Sequence, residues 1–169
     1  MSITMHSASV PIYLNMLSNL SHWLDKAAVH AKAKGFDPET LLTMRLVPDM
    51  LPLRNQVQIA CDTAKFGVAR LAGTPAPKFE DHEQTIADLQ QRIAATLDYV
   101  KSVPASAVEG SEALSVSVPV RGRDPLKFTG EQYLQQFALP NFFFHITTAY
   151  ALLRHNGVEL GKGDYLRGG

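Results

Sequence analysis

The sequence is poor in cysteine, in net charge and in long apolar runs, and each shortage excludes a class of protein. One cysteine among 169 residues excludes an internal disulfide, which indicates a reducing compartment, and we expect a cytoplasmic protein. The 16 basic residues balance 16 acidic ones, so no excess charge attracts nucleic acid or an anionic membrane. No apolar run approaches the roughly 18 residues of a membrane-spanning helix. We expect neither nucleic acid nor a membrane as a partner.

Hydrophobic residues make up 46% of the chain and charged residues 19%, which is typical of a globular protein. At this length we predict one domain over residues 1–169. Apolar residues spaced three and four apart predict helix one, which begins at Pro11 with Ser9 as its candidate cap and ends at Gly35. After a connection, helix two covers about 52–72 and is stopped by a glycine and a proline.

Helix three is predicted to open at Asp81, which has the spacing of a capping box with Gln84, and to end before Pro104. The pattern then changes. Residues 114–120 alternate apolar and small polar side chains, as a strand does, and residues 121–125 supply turn chemistry. We expect a short hairpin or extended excursion here.

Helix four is predicted over about 130–156, opened by a second capping box of Thr129 and Gln132. Pro140 lies inside it, so we expect a kink or a reset first turn just before this residue. The glycine-rich tail, 158–169, is expected to be poorly ordered at its end. These elements together predict an all-α four-helix bundle with one extended excursion between helices three and four.

Helix two has apolar residues on two sides. Ile59 and Phe66 fall almost opposite its main apolar face, and a helix of this kind is usually covered twice. Either the later excursion or a second subunit covers them. We predict a homodimer through Ile59 and Phe66.

His145 is the most informative polar residue of helix four. It lies at the edge of the buried face, with the small side chain of Ala149 one turn further on. Two interpretations are open: a partly buried histidine that makes one hydrogen bond, or a metal ligand or catalytic base.

The chain resembles the DinB/YfiT-like metalloenzyme superfamily, and within it a branch known only as a domain of unknown function. The resemblance rests on the four-helix pattern, the excursion before helix four, and three segments: 48–53, 56–73 and 140–145. It implies the up-down-down-up bundle of that superfamily, and a metal site made by one histidine on helix two and a His-x-x-x-His pair on helix four. His145 matches the first member of the pair, but the second position is Ala149, and helix two has no histidine. We therefore expect no three-histidine site and no cofactor. Zinc or nickel is the alternative, with His145 as the one retained ligand.

Other side chains offer a replacement site. Asn55, Gln58, Asp62 and Lys65 follow one flank of helix two, where they fit either an exposed polar flank or a site facing His145. Gln58, Asp62 and His145 are the candidate ligand-binding residues, and His145 and Asp62 the candidate catalytic pair.

Two further candidates have simpler interpretations. Cys61 lies on the apolar face of helix two and is expected to be a small buried hydrophobe. The sequence from His82 to Ile86 begins like the zinc-protease motif but has isoleucine in place of the second histidine.

Two functions remain. The first is a DinB-like bundle without the metal site, which binds a small ligand or acts as a dimeric interaction module. The alternative is an enzyme with a site rebuilt on His145 and Asp62, for metal-assisted hydrolysis or thiol-dependent transfer.

Overall fold

The computed structural model describes residues 3–166, which are mostly helical with one small sheet. The elements in chain order are α1 (Val10–Lys34), a 3-10 helix (Pro38–Thr43), α2 (Leu53–Leu71), α3 (Ile86–Ser102), α4 (Ala105–Val108), β1 (Ser115–Val120), β2 (Arg123–Thr129), α5 (Gly130–Gln132), a π-helical segment (Tyr133–Ala138), α6 (Leu139–His155) and α7 (Lys162–Leu166). Within this part of the chain, no helix is both long and apolar enough to cross a membrane.

The long helices pack in a ring in which α1 and α2 each contact both α3 and α6. Each of them turns one apolar stripe inward, as the spacing of three and four predicted. The centre of the core is aromatic, because Tyr13 of α1 meets the edge of Phe142 of α6 at a ring distance of 4.9 Å. Helices α1, α2, α3 and α6 therefore share one core.

The expected hairpin is present. Strands β1 and β2 pair antiparallel, with Val116 opposite Phe128 and Val118 opposite Leu126. Val116 and Val118 are buried while Ser115 and Ser117 face solvent, which is the alternation seen in the sequence. Phe128 continues the contact onto the following helix, where its ring lies 5.8 Å from that of Phe137.

The capping box of Thr129 and Gln132 is also confirmed. From there α5, the π-helical segment and α6 follow one another without a break, and Pro140 lies in the first turn of α6. Proline has no amide hydrogen, and its ring conflicts with the carbonyl of the preceding turn. The wider turns of a π-helix just before Pro140 give the ring room, which is the local reset that the proline predicted.

The predicted start of α1 is correct within one residue, since the helix begins at Val10 with Ser9 in the N-cap position. The hydroxyl of Ser9 makes no capping bond, because it donates back to the Met5 carbonyl at 2.6 Å. The predicted start of α3 is wrong. Helix α3 is opened by a capping box of Thr85 and Asp88, four residues later than expected. The segment before it is held away from helical geometry by the side chain of Glu83, which is buried against α2 and α3.

Poor order was predicted for the end of the tail, and its last residues, 167–169, lie outside the described part of the chain. Val158 and Leu160 are buried in the core. Beyond them α7 packs onto α1, with the Tyr165 ring stacked on Trp23. The described part of the tail is therefore attached to α1 through an aromatic pair that is far apart in sequence.

Candidate functional site

His145 lies between α6 and α2 and is 8% exposed. Its Nδ1 is 2.7 Å from Oε1 of Gln56, whose own Nε2 donates to the Leu51 carbonyl at 2.8 Å. Because that second bond fixes the orientation of the amide, the oxygen faces the ring and His145 Nδ1 is the donor. The neutral ring therefore carries its proton on Nδ1 and its lone pair on Nε2.

Burial lowers the pKa of His145 from 6.5 to about 4. Desolvation penalises the charged imidazolium, so the ring is neutral near pH 7. A general base works best when its pKa is near the working pH, and His145 is well below that. Its environment is that of a hydrogen-bonded structural histidine, the first of the two interpretations open from the sequence.

The residues around His145 do not fit the three-histidine metal site implied by the resemblance. The position one turn further on is Ala149, which has no ligand atom, and the contact from α2 is the amide of Gln56. Among residues 3–166, no three His, Cys, Asp or Glu side chains lie close enough together to hold a metal ion. One imidazole lone pair is too small a donor set for a zinc or nickel centre.

Asp62 belongs to a different cluster, and its predicted pairing with His145 is wrong. Its Oδ1 accepts from Arg92 Nη2 at 3.0 Å and from Lys65 Nζ at 2.8 Å. Asp62 and Gln56 are six positions apart, which at about 100° per residue places them about 120° apart around α2. Gln56 therefore faces α6 while Asp62 faces α3.

Gln58 joins the same cluster rather than His145. Its Nε2 donates to Glu83 Oε2 at 2.7 Å, and the other Glu83 oxygen accepts from Arg92 Nη1 at 2.8 Å. Burial raises the pKa of the Glu83 carboxyl, but the hydrogen bonds from Arg92 and Gln58 outweigh that effect and hold the pKa below its ordinary value. We call Gln58, Asp62, Lys65, Glu83 and Arg92 the charge cluster.

The interpretation of this flank of α2 as an exposed polar face is also wrong. Lys65 is only 2% exposed, and its ammonium lies 4.6 Å from the ring of Phe66 and 4.4 Å from that of Phe79. The segment that joins α2 to α3 supplies Phe79 and covers the flank. A cavity of about 380 Å³ adjoins the cluster and is lined by Phe79, Glu83 and Arg92 among others. Because the charged groups of the cluster already bind one another, the cluster serves to hold α2, α3 and this segment together.

Three other residues singled out in the sequence have clear positions. Cys61 is fully buried, and burial raises the pKa of its thiol to about 12, so the prediction of a small buried hydrophobe is confirmed. Ile59 and Phe66 are half-buried in the single chain. Phe66 packs under Lys65 and under Arg70, whose guanidinium carbon is 4.9 Å from the ring.

Three residues that organise these sites escaped the sequence analysis: Gln56, Glu83 and Arg92. Gln56 had a visible signal, because it stands between Leu53 and Val57 on the apolar face of α2. A polar residue inside an apolar stripe is expected to have a buried partner. Glu83 and Arg92 gave no comparable signal, since charged residues near a helix start and on a helix flank are ordinary.

The chain matches the family described as Domain of unknown function (DUF1993) over residues 5–166. It is similar to the crystal structure of a DinB family member protein from Shewanella denitrificans, with 44% sequence identity and a TM-score of 0.86. That likeness covers 96% of this chain and 91% of the other. No curated protein matches the chain. The likeness therefore concerns the whole fold and not one motif.

The position of His145 predicts a pH dependence of stability. Its pKa is about 4 in the folded chain and 6.5 when unperturbed, so between these values the unfolded state binds more protons. The free energy of unfolding should fall as the pH drops from 6.5 to 4, and this contribution should be complete above 6.5. The variant His145→Asn keeps a donor near Nδ1 for Gln56 but does not titrate. Urea unfolding at several pH values should show the wild type losing stability relative to the variant on acidification. Parallel curves would contradict the assignment.

The charge cluster predicts that the carboxylates that pair with Arg92 contribute unequally to the stability of the fold. Glu83→Ala should destabilise the fold by about 3–5 kcal/mol, because it leaves a buried guanidinium short of a partner. Asp81→Ala is the matched control. Asp81 also pairs with Arg92 Nη1, but its side chain is 61% exposed against 7% for Glu83. Its removal should cost less than about 1 kcal/mol. Similar losses in thermal or chemical unfolding of the two variants would show that burial does not set the difference.

Proposed function

The chain belongs to the DUF1993 family and has the DinB-like fold, and from this premise we propose that it acts by binding as an interaction module and not as a metalloenzyme. In this proposal α1, α2, α3 and α6 form the up-down-down-up bundle of the superfamily without its three-histidine site. The observation that carries the proposal is the state of His145. The one retained ligand position is buried, bonded to Gln56 and followed by Ala149.

The surface that supports binding lies beside His145. Phe144 is 55% exposed, and with Phe143 and Leu46 it lines a groove of about 500 Å³. The remaining lining residues are Thr147, Thr148 and Ala151, so no charged side chain faces the groove. We call this surface the apolar patch. Contiguous exposed apolar surface on a globular protein marks sites of interaction.

The occupant we propose is a second copy of this chain. Phe144 is an exposed apolar side chain beside an apolar groove. A two-fold axis through the patch would therefore place each Phe144 in the groove of the other copy. Since the lining carries no charge, two identical patches meet without repulsion between like charges. Ile59 and Phe66, from which the homodimer was predicted, are half-buried in the single chain, and the Phe66 ring is already in contact with Arg70, so we propose the interface at the apolar patch.

The enzyme alternative rested on His145 and Asp62 acting together. Their hydrogen bonds lead to Gln56 and to Arg92 respectively, on different sides of α2. No contact between them supports metal-assisted hydrolysis or thiol-dependent transfer.

The proposed dimer is tested by one substitution and a matched control. At micromolar concentration we expect light scattering to give a dimer for the wild type and a monomer for Phe144→Asp. An anchor residue at an interface contributes about 2 kcal/mol or more, so the dissociation constant should rise at least about 30-fold. Val29→Asp changes an apolar residue that is 69% exposed on α1, away from the patch, and should leave the dimer intact. A wild-type monomer, or an equal effect of both variants, would overturn the proposal.

The proposal that no metal binds at His145 is tested by elemental analysis of protein purified without a histidine tag. We expect zinc and nickel far below one equivalent per chain, and no change in His145→Ala. The physical reason is the donor set, in which a single imidazole faces an alanine and an amide. Stoichiometric metal that is lost in His145→Ala would show that the proposal is wrong.

A further inference from the structure

Helix α7 docks against α1 and α6 through the aromatic ring of Tyr165 and through polar contacts of Asp164 and Tyr165. The Tyr165 ring stacks on Trp23 at 5.6 Å with an angle of 22°, and meets the edge of Tyr150 at 5.7 Å. Trp23 and Tyr150 in turn meet edge to face at 5.4 Å. The two form a corner at the seam between α1 and α6, and the ring of Tyr165 fills it. We call this corner and its rim the aromatic slot.

Hydrogen-bond donors from α1 line the rim of the aromatic slot. Asn19 Nδ2 donates to the Tyr165 carbonyl at 3.0 Å, and Trp23 Nε1 to the Asp164 carbonyl at 3.2 Å. Lys26 Nζ pairs with the Asp164 carboxylate at 2.9 Å. These three residues are spaced four and three apart on α1, so they lie in line on one face. The hydroxyl of Thr147 shares a hydrogen bond of 2.9 Å with that of Tyr165.

The groups on α1 and α6 differ in kind from the groups that α7 brings to them. The long helices α1 and α6 provide the ring corner, two neutral N–H groups and an ammonium, all on rigid elements. The planar ring, the carbonyl acceptors and the carboxylate all come from α7. The slot is therefore shaped for a flat ring that carries an acid group, and α7 presents such a group from within the chain.

Helix α7 has little stability apart from its contacts with the slot. It has five residues, none of them buried, and glycines at positions 161 and 163 flank its start. A helix this short has no stability of its own in water, so it stays in place only through its contacts with the slot. Trp23 and Asn19 are buried beneath it, and departure of α7 would open both to another occupant.

We propose that the aromatic slot, formed by Asn19, Trp23, Lys26, Thr147 and Tyr150, is a binding site for a small aromatic carboxylate, and that α7 occupies it in competition with this ligand. The slot shares Thr147 with the apolar patch, but ligand binding in the slot is proposed independently of the dimer. Docking of α7 raises the apparent dissociation constant of the ligand in inverse proportion to the fraction of time that the slot is open. Removal of the Tyr165 ring should therefore increase the apparent affinity of the slot for the ligand.

The experiment uses the full chain and 4-hydroxyphenylacetate as the probe. The chain has one tryptophan, so its indole N–H gives one NMR signal that reports on the slot. In Tyr165→Ala the signal should move on titration and saturate by about 1 mM, with an apparent dissociation constant at least roughly tenfold below that of the wild type. Leu166→Ala, which changes an exposed neighbour in α7, should bind as the wild type does.

Two further probes separate the proposed site from non-specific adsorption. Cyclohexylacetate lacks the planar ring, and 4-hydroxyphenylacetamide lacks the charge, so both should bind Tyr165→Ala more weakly. Adding Lys26→Gln should abolish the preference for the acid over the amide. Asp164→Ala keeps the Tyr165 ring and serves as a second way to loosen α7, with a smaller gain in affinity. The proposal is overturned if the indole signal of Tyr165→Ala does not saturate, if the three probes act alike, or if the wild type binds as tightly as the variant.

Discussion

The buried guanidinium of Arg92 is the charge around which the α2–α3 side of the fold is arranged. Transfer of such a group out of water costs several kcal/mol unless carboxylates meet it. Asp62 comes from α2, but Glu83 comes from the segment between the helices, which also brings its Glu80 carbonyl to Arg92 at 3.2 Å. That segment must therefore lie extended across both helices. Helix α3 begins at Ile86, just after this extended segment.

The contacts of Arg92 are long-range, and they explain why some elements could be predicted from the local sequence pattern and others could not. The alternation of β1, the glycine that ends α1 and the capping box of Thr129 and Gln132 depend on neighbouring residues, and they were predictable. The start of α3 was not. Asp81 with Gln84 and Thr85 with Asp88 have the same spacing, and the choice between them is made by Arg92, several residues further on. No local pattern contains that choice.

The candidate site divides in the same way. That His145 lies at the edge of the core follows from its place on an apolar helix, and the structure agrees. Its partner depends on the rotation of α2 relative to α6. Helical spacing orders the residues of α2 around its axis but does not say which side meets α6 and which meets α3. Asp62 was thus assigned to the wrong neighbour, and Gln56, which shares the apolar face with Val57, was overlooked.

Helix α6 brings the remaining surfaces together within two turns. Phe142 points into the core, His145 faces α2, Phe144 projects into solvent, and Thr147 bonds to Tyr165. Thr147 also lines the groove of the apolar patch, so a chain seated there would touch the residue that helps to hold α7. Two binding events that share a residue influence each other, and the change in affinity is the same in both directions. In the proposed dimer, a ligand that displaces Tyr165 from Thr147 would therefore change the strength of association, and association would change the affinity of the proposed slot by the same factor.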